Sequence, residues 1–151
     1  MSLSKKIDDD LIKAMKGGEK DKVTLLRGLK SDIKYRRIEN GDDLSEQDII
    51  AVLSSAAKRR RDSIEQFRNG NRMDLVEKET FELEIIQCYL PKQLSEDELR
   101  DLITQSIAAV NADSAAKVGM VMKDLMPKVK GLADGKLISQ LVSRMLSGEK
   151  E

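Results

Sequence analysis

The stretch Leu44–Gly70, LSEQDIIAVLSSAAKRRRDSIEQFRNG, decides the fold class. Ser45 stands three residues before Asp48, the spacing at which a hydroxyl and a carboxylate each satisfy a free backbone N–H at a helix start. Ile49, Leu53, Ala56, Ala57, Ile64 and Phe67 then share one face at the helical period. Asn69-Gly70 closes the run with residues that suit a helix terminus. No alternation of period two interrupts it, so the stretch predicts one long helix.

The same grammar extends in both directions. Upstream, Ile7, Leu11, Ile12 and Met15 share a face of a short helix that Gly17-Gly18 stops. Leu26, Leu29 and Ile33, flanked by Val23, Leu25 and Ile38, mark a second helix from near Asp21 to Asn40-Gly41. Downstream, a fourth runs from about Met73 to Leu90, with Leu75, Val76, Leu83, Ile85, Ile86 and Tyr89 apolar. Pro91 biases Leu90 away from helical geometry and marks a boundary, giving an N-terminal domain over 1–91 and a C-terminal domain over 92–151.

Beyond the proline, Ser95-Glu96-Asp97-Glu98 repeats the capping pattern ahead of Leu99, Leu102, Ile103, Ile107 and Val110. Asp113 or Ser114 opens a helix with Val118, Met122 and Leu125, which Pro127 is expected to end. The loop KVKGLADG (Lys128–Gly135) leads to Asp134 as the next cap. Leu137, Ile138, Leu141, Val142, Met145 and Leu146 then form a wide stripe before Gly148. The expectation is an all-α chain: a four-helix N-terminal domain followed by a small three-helix bundle.

Composition narrows the chemistry. The 151 residues include 27 Lys+Arg, 27 Asp+Glu, no histidine, no tryptophan and one cysteine. Without histidine there is no imidazole ligand, no His general base and no Ser-His or Cys-His nucleophile pair. One cysteine permits neither an internal disulfide nor a thiolate zinc cage. No cofactor and no catalytic residue is therefore expected. Apolar runs are far shorter than the roughly 18 residues a membrane helix needs, so no membrane partner is expected. The N-terminal stretch lacks the apolar core of a secretory signal, and these absences lead to an expectation of a cytoplasmic protein.

The chain is neutral, and its charges are unevenly placed. Lys58-Arg59-Arg60-Arg61 is the densest cationic run, but successive residues turn by about 100° and cannot share a face. Arg60 falls on the apolar stripe and either pairs with a carboxylate such as Glu79 or Glu82 or snorkels outward. Lys58, Arg59 and Arg61 read first as a solvated face and second as a phosphate-contacting ridge. Glu77, Glu79, Glu82 and Glu84 read as an acidic face, since alternate spacing keeps their oxygens from converging on a metal. Cys88, among Ile85, Ile86 and Tyr89, reads as core packing.

In the C-terminal domain the segregation is clearer. Residues 93–116 carry a net charge of −4 and residues 117–144 a net charge of +4. Lys117 and Lys123 precede the loop, and Lys128, Lys130 and Lys136 surround it, with Gly131 and Gly135 inside. The loop feeds a helix N-terminus, where free N–H groups and a partial positive charge suit a phosphate. It matches no P-loop or dinucleotide fingerprint. An ordinary connection, with lysines complementing a helix C-terminus, accounts for it equally well.

Four collinear stretches carry a family resemblance: LLRGLKSDIK (Leu25–Lys34), RRRDSIEQFRNGNRMDLVEKE (Arg59–Glu79), YLPKQLSEDEL (Tyr89–Leu99) and VMKDLMPKVKGLADGKLISQLV (Val121–Val142). Together they resemble the YqeY-like family. The resemblance implies a helical N-terminal domain and a C-terminal domain similar to the tail of the B subunit of tRNA-dependent amidotransferase. That tail, also similar to an appendage of some glutaminyl-tRNA synthetases, holds tRNA while catalysis resides elsewhere. Lys128, Lys130, Gly131, Asp134, Gly135 and Lys136 match the family pattern. Met120 and Leu132 stand where the family usually has Lys and Arg, and Lys123 where it usually has Gly.

Three functions follow as expectations. The first is a tRNA-binding accessory module without chemistry of its own, with an aminoacyl-tRNA synthetase or an amidotransferase as possible partner. The second is a helical protein–protein adaptor using exposed apolar faces. The third, part of a glutamine-dependent carbon–nitrogen ligase activity, has no nucleophile–base pair or ATP loop in the sequence to support it.

Overall fold

A computed structural model describes residues 2–148 and is all-α among them. Seven α-helices appear in order: α1 (Leu3–Lys16), α2 (Lys20–Asn40), α3 (Glu46–Asn69), α4 (Met73–Tyr89), α5 (Glu96–Ala109), α6 (Val118–Val129) and α7 (Gly135–Leu146). A 3-10 turn, Ala115–Lys117, precedes α6. The chain divides into two compact units, residues 1–90 and 91–151.

In the first unit the helix starts follow from local chemistry. The Ser45 hydroxyl accepts from the Asp48 N–H at 3.1 Å, and the Asp48 carboxylate accepts from the Ser45 N–H at 3.0 Å. That reciprocal cap fixes the start of α3. Gly41, at φ +77°, terminates α2 in a left-handed conformation that side chains disfavour. α3 packs along α4 and α1 along α2, with α3 also touching α1 and α2. Ile7, Leu26, Leu29, Leu53 and Ile86 are fully buried at their centre.

The sequence reading of α1 needs correction. Ile12 and Met15 are about half exposed, and Ala14 is buried beside Ile7 and Leu11. Residues 7, 11 and 14 follow the four-then-three spacing of a single face, whereas 12 and 15 sit about 100° round from 11 and 14. Cys88 is exposed rather than core, its thiol directed to the Glu84 carbonyl at 3.3 Å. Arg60 does find Glu82, at 3.8 Å, with both side chains less than one-fifth exposed.

In the second unit, Leu99 and Ile103 from α5, Val121, Leu125 and Val129 from α6, and Ile138, Leu141 and Val142 from α7 form one core. Each is essentially inaccessible to solvent. Ser95 caps α5 by accepting from the Glu98 N–H at 3.1 Å. Pro127 does not end α6; it lies inside its last turn, and the helix continues to Val129. A proline there forfeits the one bond to the Lys123 carbonyl, which lies on the exposed side of α6, while the burial of Val129 holds the turn closed. Neither Asp113 nor Ser114 is the α6 cap, since the 3-10 turn intervenes and the Ser114 side chain makes no capping bond.

Candidate nucleic-acid interface

The apolar pattern of α6 dictates where its cations point. Val121, Leu125 and Val129 define the buried stripe. At 100° per residue, Lys123 and Lys130 fall on the opposite, outward stripe, together with Met120 and Pro127. All four are exposed. Lys117 and Lys128 instead fall on a flank shared with Asp124, which the structure pairs with Lys128 at 3.2 Å. Lys117 pairs with Asp113 at 3.0 Å. Lys117 and Lys128 stand roughly 16 Å apart along the axis, so they do not act at one point.

Carboxyl behaviour follows these pairings. The Lys117 ammonium, as hydrogen-bond partner and then as charge, holds the Asp113 carboxyl below its ordinary range. Asp124 is held down first by the Ser106 hydroxyl of α5 and then by Lys128. The Ser106 hydroxyl is buried and sits outside strict hydrogen-bond geometry. Exposed pairs of this kind contribute little to stability, so Lys117 and Lys128 can exchange their carboxylates for another anion at low cost. Lys123 and Lys130 meet no carboxylate among the described residues.

The loop between α6 and α7 is strapped in place. Gly131 takes φ +79°. Its carbonyl accepts from the Gln93 carboxamide at 3.0 Å, and the same nitrogen donates to the Pro91 carbonyl at 2.9 Å. The Leu94 N–H donates to the Leu132 carbonyl at 2.8 Å. Asp134 is the N-cap of α7 by position, and its side chain makes no capping bond. Gly135 and Lys136 open the helix and are exposed. Lys130 and Lys136 therefore lie at the same end of the unit, beside the first N–H groups of a helix that carries no carboxylate of its own. Lys123 is about two turns away along α6. Gln93 was not singled out from sequence, where a lone carboxamide before Ser95 carries no signal.

The arginine run of α3 is neutralised more fully. Lys58 pairs with Asp62 at 3.0 Å and Arg59 with Asp32 of α2 at 3.0 Å. Arg60 donates to the Ala56 carbonyl at 3.2 Å besides meeting Glu82. Arg61 is partly buried and also has a partner. The structure thus brings Lys130, Gly131, Gly135 and Lys136 together and places Lys58, Arg59 and Arg61 in a separate, charge-balanced setting.

Comparison with known proteins places this architecture. Residues 4–146 match the family described as Yqey-like protein. The chain belongs to that family. Among its relatives, a Lachancea thermotolerans protein named "Altered inheritance of mitochondria protein 41, mitochondrial" is 45% identical over 82 residues, covering 54% of this chain and 44% of its own length. An uncharacterized Schizosaccharomyces pombe protein is 33% identical over 85 residues, 56% of this chain and 69% of its own length. A Pyrenophora tritici-repentis protein with the same mitochondrial name is 24% identical over 147 residues, 95% of this chain and 81% of its own length. The chain therefore spans less than half of the Lachancea protein. These names overturn the expectation of cytoplasmic residence. That expectation rested on lacking a secretory core and a membrane helix, and neither absence distinguishes cytoplasm from organelle.

Proposed function

We propose that this Yqey-like protein is a tRNA-binding accessory module, with the α6–α7 loop as its contact for backbone phosphates. The supporting observation is the strapped loop itself. Lys130 and Lys136 flank the start of α7, where the Asp134 side chain makes no capping bond and the backbone N–H groups and helix dipole favour an anion. Phosphates on such a surface position the RNA without reading bases, so the module adds affinity and orientation to a partner that performs the chemistry. An amidotransferase or aminoacyl-tRNA synthetase is the partner this role calls for. Because named relatives are mitochondrial, the tRNA pool of that compartment is included in the reading.

The test is a gel-shift titration with bulk tRNA at low and moderate salt. Each engaged cation releases counterions, and the affinity should fall with a slope near −0.9 per phosphate neutralised in duplex regions. Replacing Lys130 and Lys136 by Ala should flatten the slope by about two. No shift at about 50 mM salt with micromolar protein would refute the reading.

A second reading, a helical adaptor, is favoured by the exposed Ile12 and Met15 of α1. Charged substitutions at both positions should then abolish co-sedimentation with a purified amidotransferase. If they leave it intact, that reading fails.

A further inference from the structure

We propose that the cleft between α1 and α2 is a phosphate-binding site, separate from the α6–α7 loop and independent of the reading above. The cleft encloses about 390 Å³ over a floor of Ile7 and Ile33. Its walls present Ser4 and Asp8 from α1 and Lys30, Ser31, Lys34 and Arg37 from α2.

The charge on these walls is unbalanced. Asp8 holds the Lys30 ammonium at 2.9 Å and is the one carboxylate of the lining. Arg37 reaches Asp43 at 3.9 Å, but that partner is fully exposed, and such a pair is readily given up. Lys34 meets no carboxylate among the described residues. Two positive charges are thus left over at a concave surface with two hydroxyl groups. An arginine fork, a mobile ammonium and a serine hydroxyl form a donor set suited to the several acceptor oxygens of a phosphate.

α2 sets a row of cations along this face, while Arg36 lies on the opposite flank and pairs with Glu39 at 4.0 Å. Residues 30, 34 and 37 lie on one stripe, and Arg27, three residues earlier, extends it. Arg27 also lacks a carboxylate partner among the described residues. Asp21, Asp32 and Glu39, the acids of α2, fall on the far flank of the helix. The cationic stripe is about 15 Å long, more than a single phosphate occupies. A polynucleotide backbone and a free phosphate compound share this chemistry.

The experiment is an amide-resolved NMR titration of the full chain with inorganic phosphate, pyrophosphate and a short oligouridylate. Saturable shifts at Ser4, Ser31 and Lys34 are expected. They should weaken at least tenfold in the Lys34→Ala/Arg37→Ala variant and persist in Lys34→Arg. Both side chains are on the surface, and circular dichroism checks that the helices survive. If oligouridylate shifts the same amides at far lower concentration than phosphate does, a polynucleotide is the source; if it does not, a small phosphate compound is. Absence of shifts with all three probes, or shifts unchanged in the double variant, would overturn the proposal. The Lys130→Ala/Lys136→Ala variant should leave these shifts intact, which separates this site from the C-terminal one.

Discussion

The Tyr89 hydroxyl donates to the Asp10 carboxylate, joining the end of α4 to α1. Lys6 lies 5.4 Å from the centre of the same ring. Tyr89→Phe removes the hydroxyl and keeps both the ring and its contact with the ammonium, so it isolates the hydrogen bond. A bond to a charged acceptor is worth about 1.5–3 kcal/mol. Asp10 is half-buried and regains water in the variant, so a loss of about 1.5 kcal/mol at neutral pH is expected. Burial, then the Asp10 bond and its charge, raise the phenol well above its ordinary value. The unfolded chain releases the phenolic proton near pH 10, and the folded chain retains it to higher pH. The stabilisation is therefore complete below about pH 10 and shrinks as pH rises, by at most about 1.4 kcal/mol per pH unit. Screening at the rim of the pair reduces this, and a loss of about 1 kcal/mol from pH 9.5 to 11 is expected in the parent but not in the variant. Urea unfolding followed by far-ultraviolet circular dichroism across that range measures the difference. Equal losses in both chains, or equal stability at pH 7, would refute the reasoning.

Three further outcomes are expected. Ser45→Ala, which breaks the reciprocal cap of α3, should cost about 1 kcal/mol and lower the melting temperature by a few degrees in a thermal scan. Glu82→Gln should cost about 1–2 kcal/mol by leaving the poorly exposed Arg60 without its counter-charge, and adding Arg60→Met should recover part of that loss in a double-mutant cycle. Ser106→Ala should let the Asp124 carboxyl rise toward its ordinary range, observable by NMR titration. The stability that Asp124 derives from its lowered value is present above the ordinary carboxylate range and lost as pH falls. In Ser106→Ala this acid-side loss should therefore be smaller.

What was legible in the sequence was local. Ser45 with Asp48, Asn40 with Gly41, and Ser95 with Glu98 announce helix ends because their partners lie within a turn. The apolar stripes of α3 and α7 are readable because burial repeats at the helical period, whereas in α6 the pattern marks only Leu125 of the buried three and takes the partly buried Val118 and Met122 for Val121 and Val129. The pattern misplaces Ile12 and Met15 because a small residue, Ala14, contributes to the face without the hydropathy that would mark it. Pro127 reads as a stop by its usual effect, although one lost bond near a helix end weighs less than burying Val129. The charge layout was harder to see. Consecutive cations at Lys58–Arg61 stand out in a string of letters but disperse around a helix. Arg27, Lys30, Lys34 and Arg37 look scattered yet line one edge of α2. Pairings across elements, such as Arg59 with Asp32 or Gln93 with Gly131, leave no mark in local pattern at all.

The hydrogen bonds of Gln93 and Leu94 also determine where this chain tolerates a cut. Residues 91–94 have no helical periodicity and read as dispensable linker, so a fragment starting at the Ser95 cap is the natural choice. Such a fragment would strip donors from the carbonyls of Gly131 and Leu132 and free the segment that carries Lys130. Its helices would keep their core while the presentation of its lysines changed. A minimal C-terminal fragment should therefore begin at Pro91 or earlier, and one begun at Ser95 would report on a loosened loop.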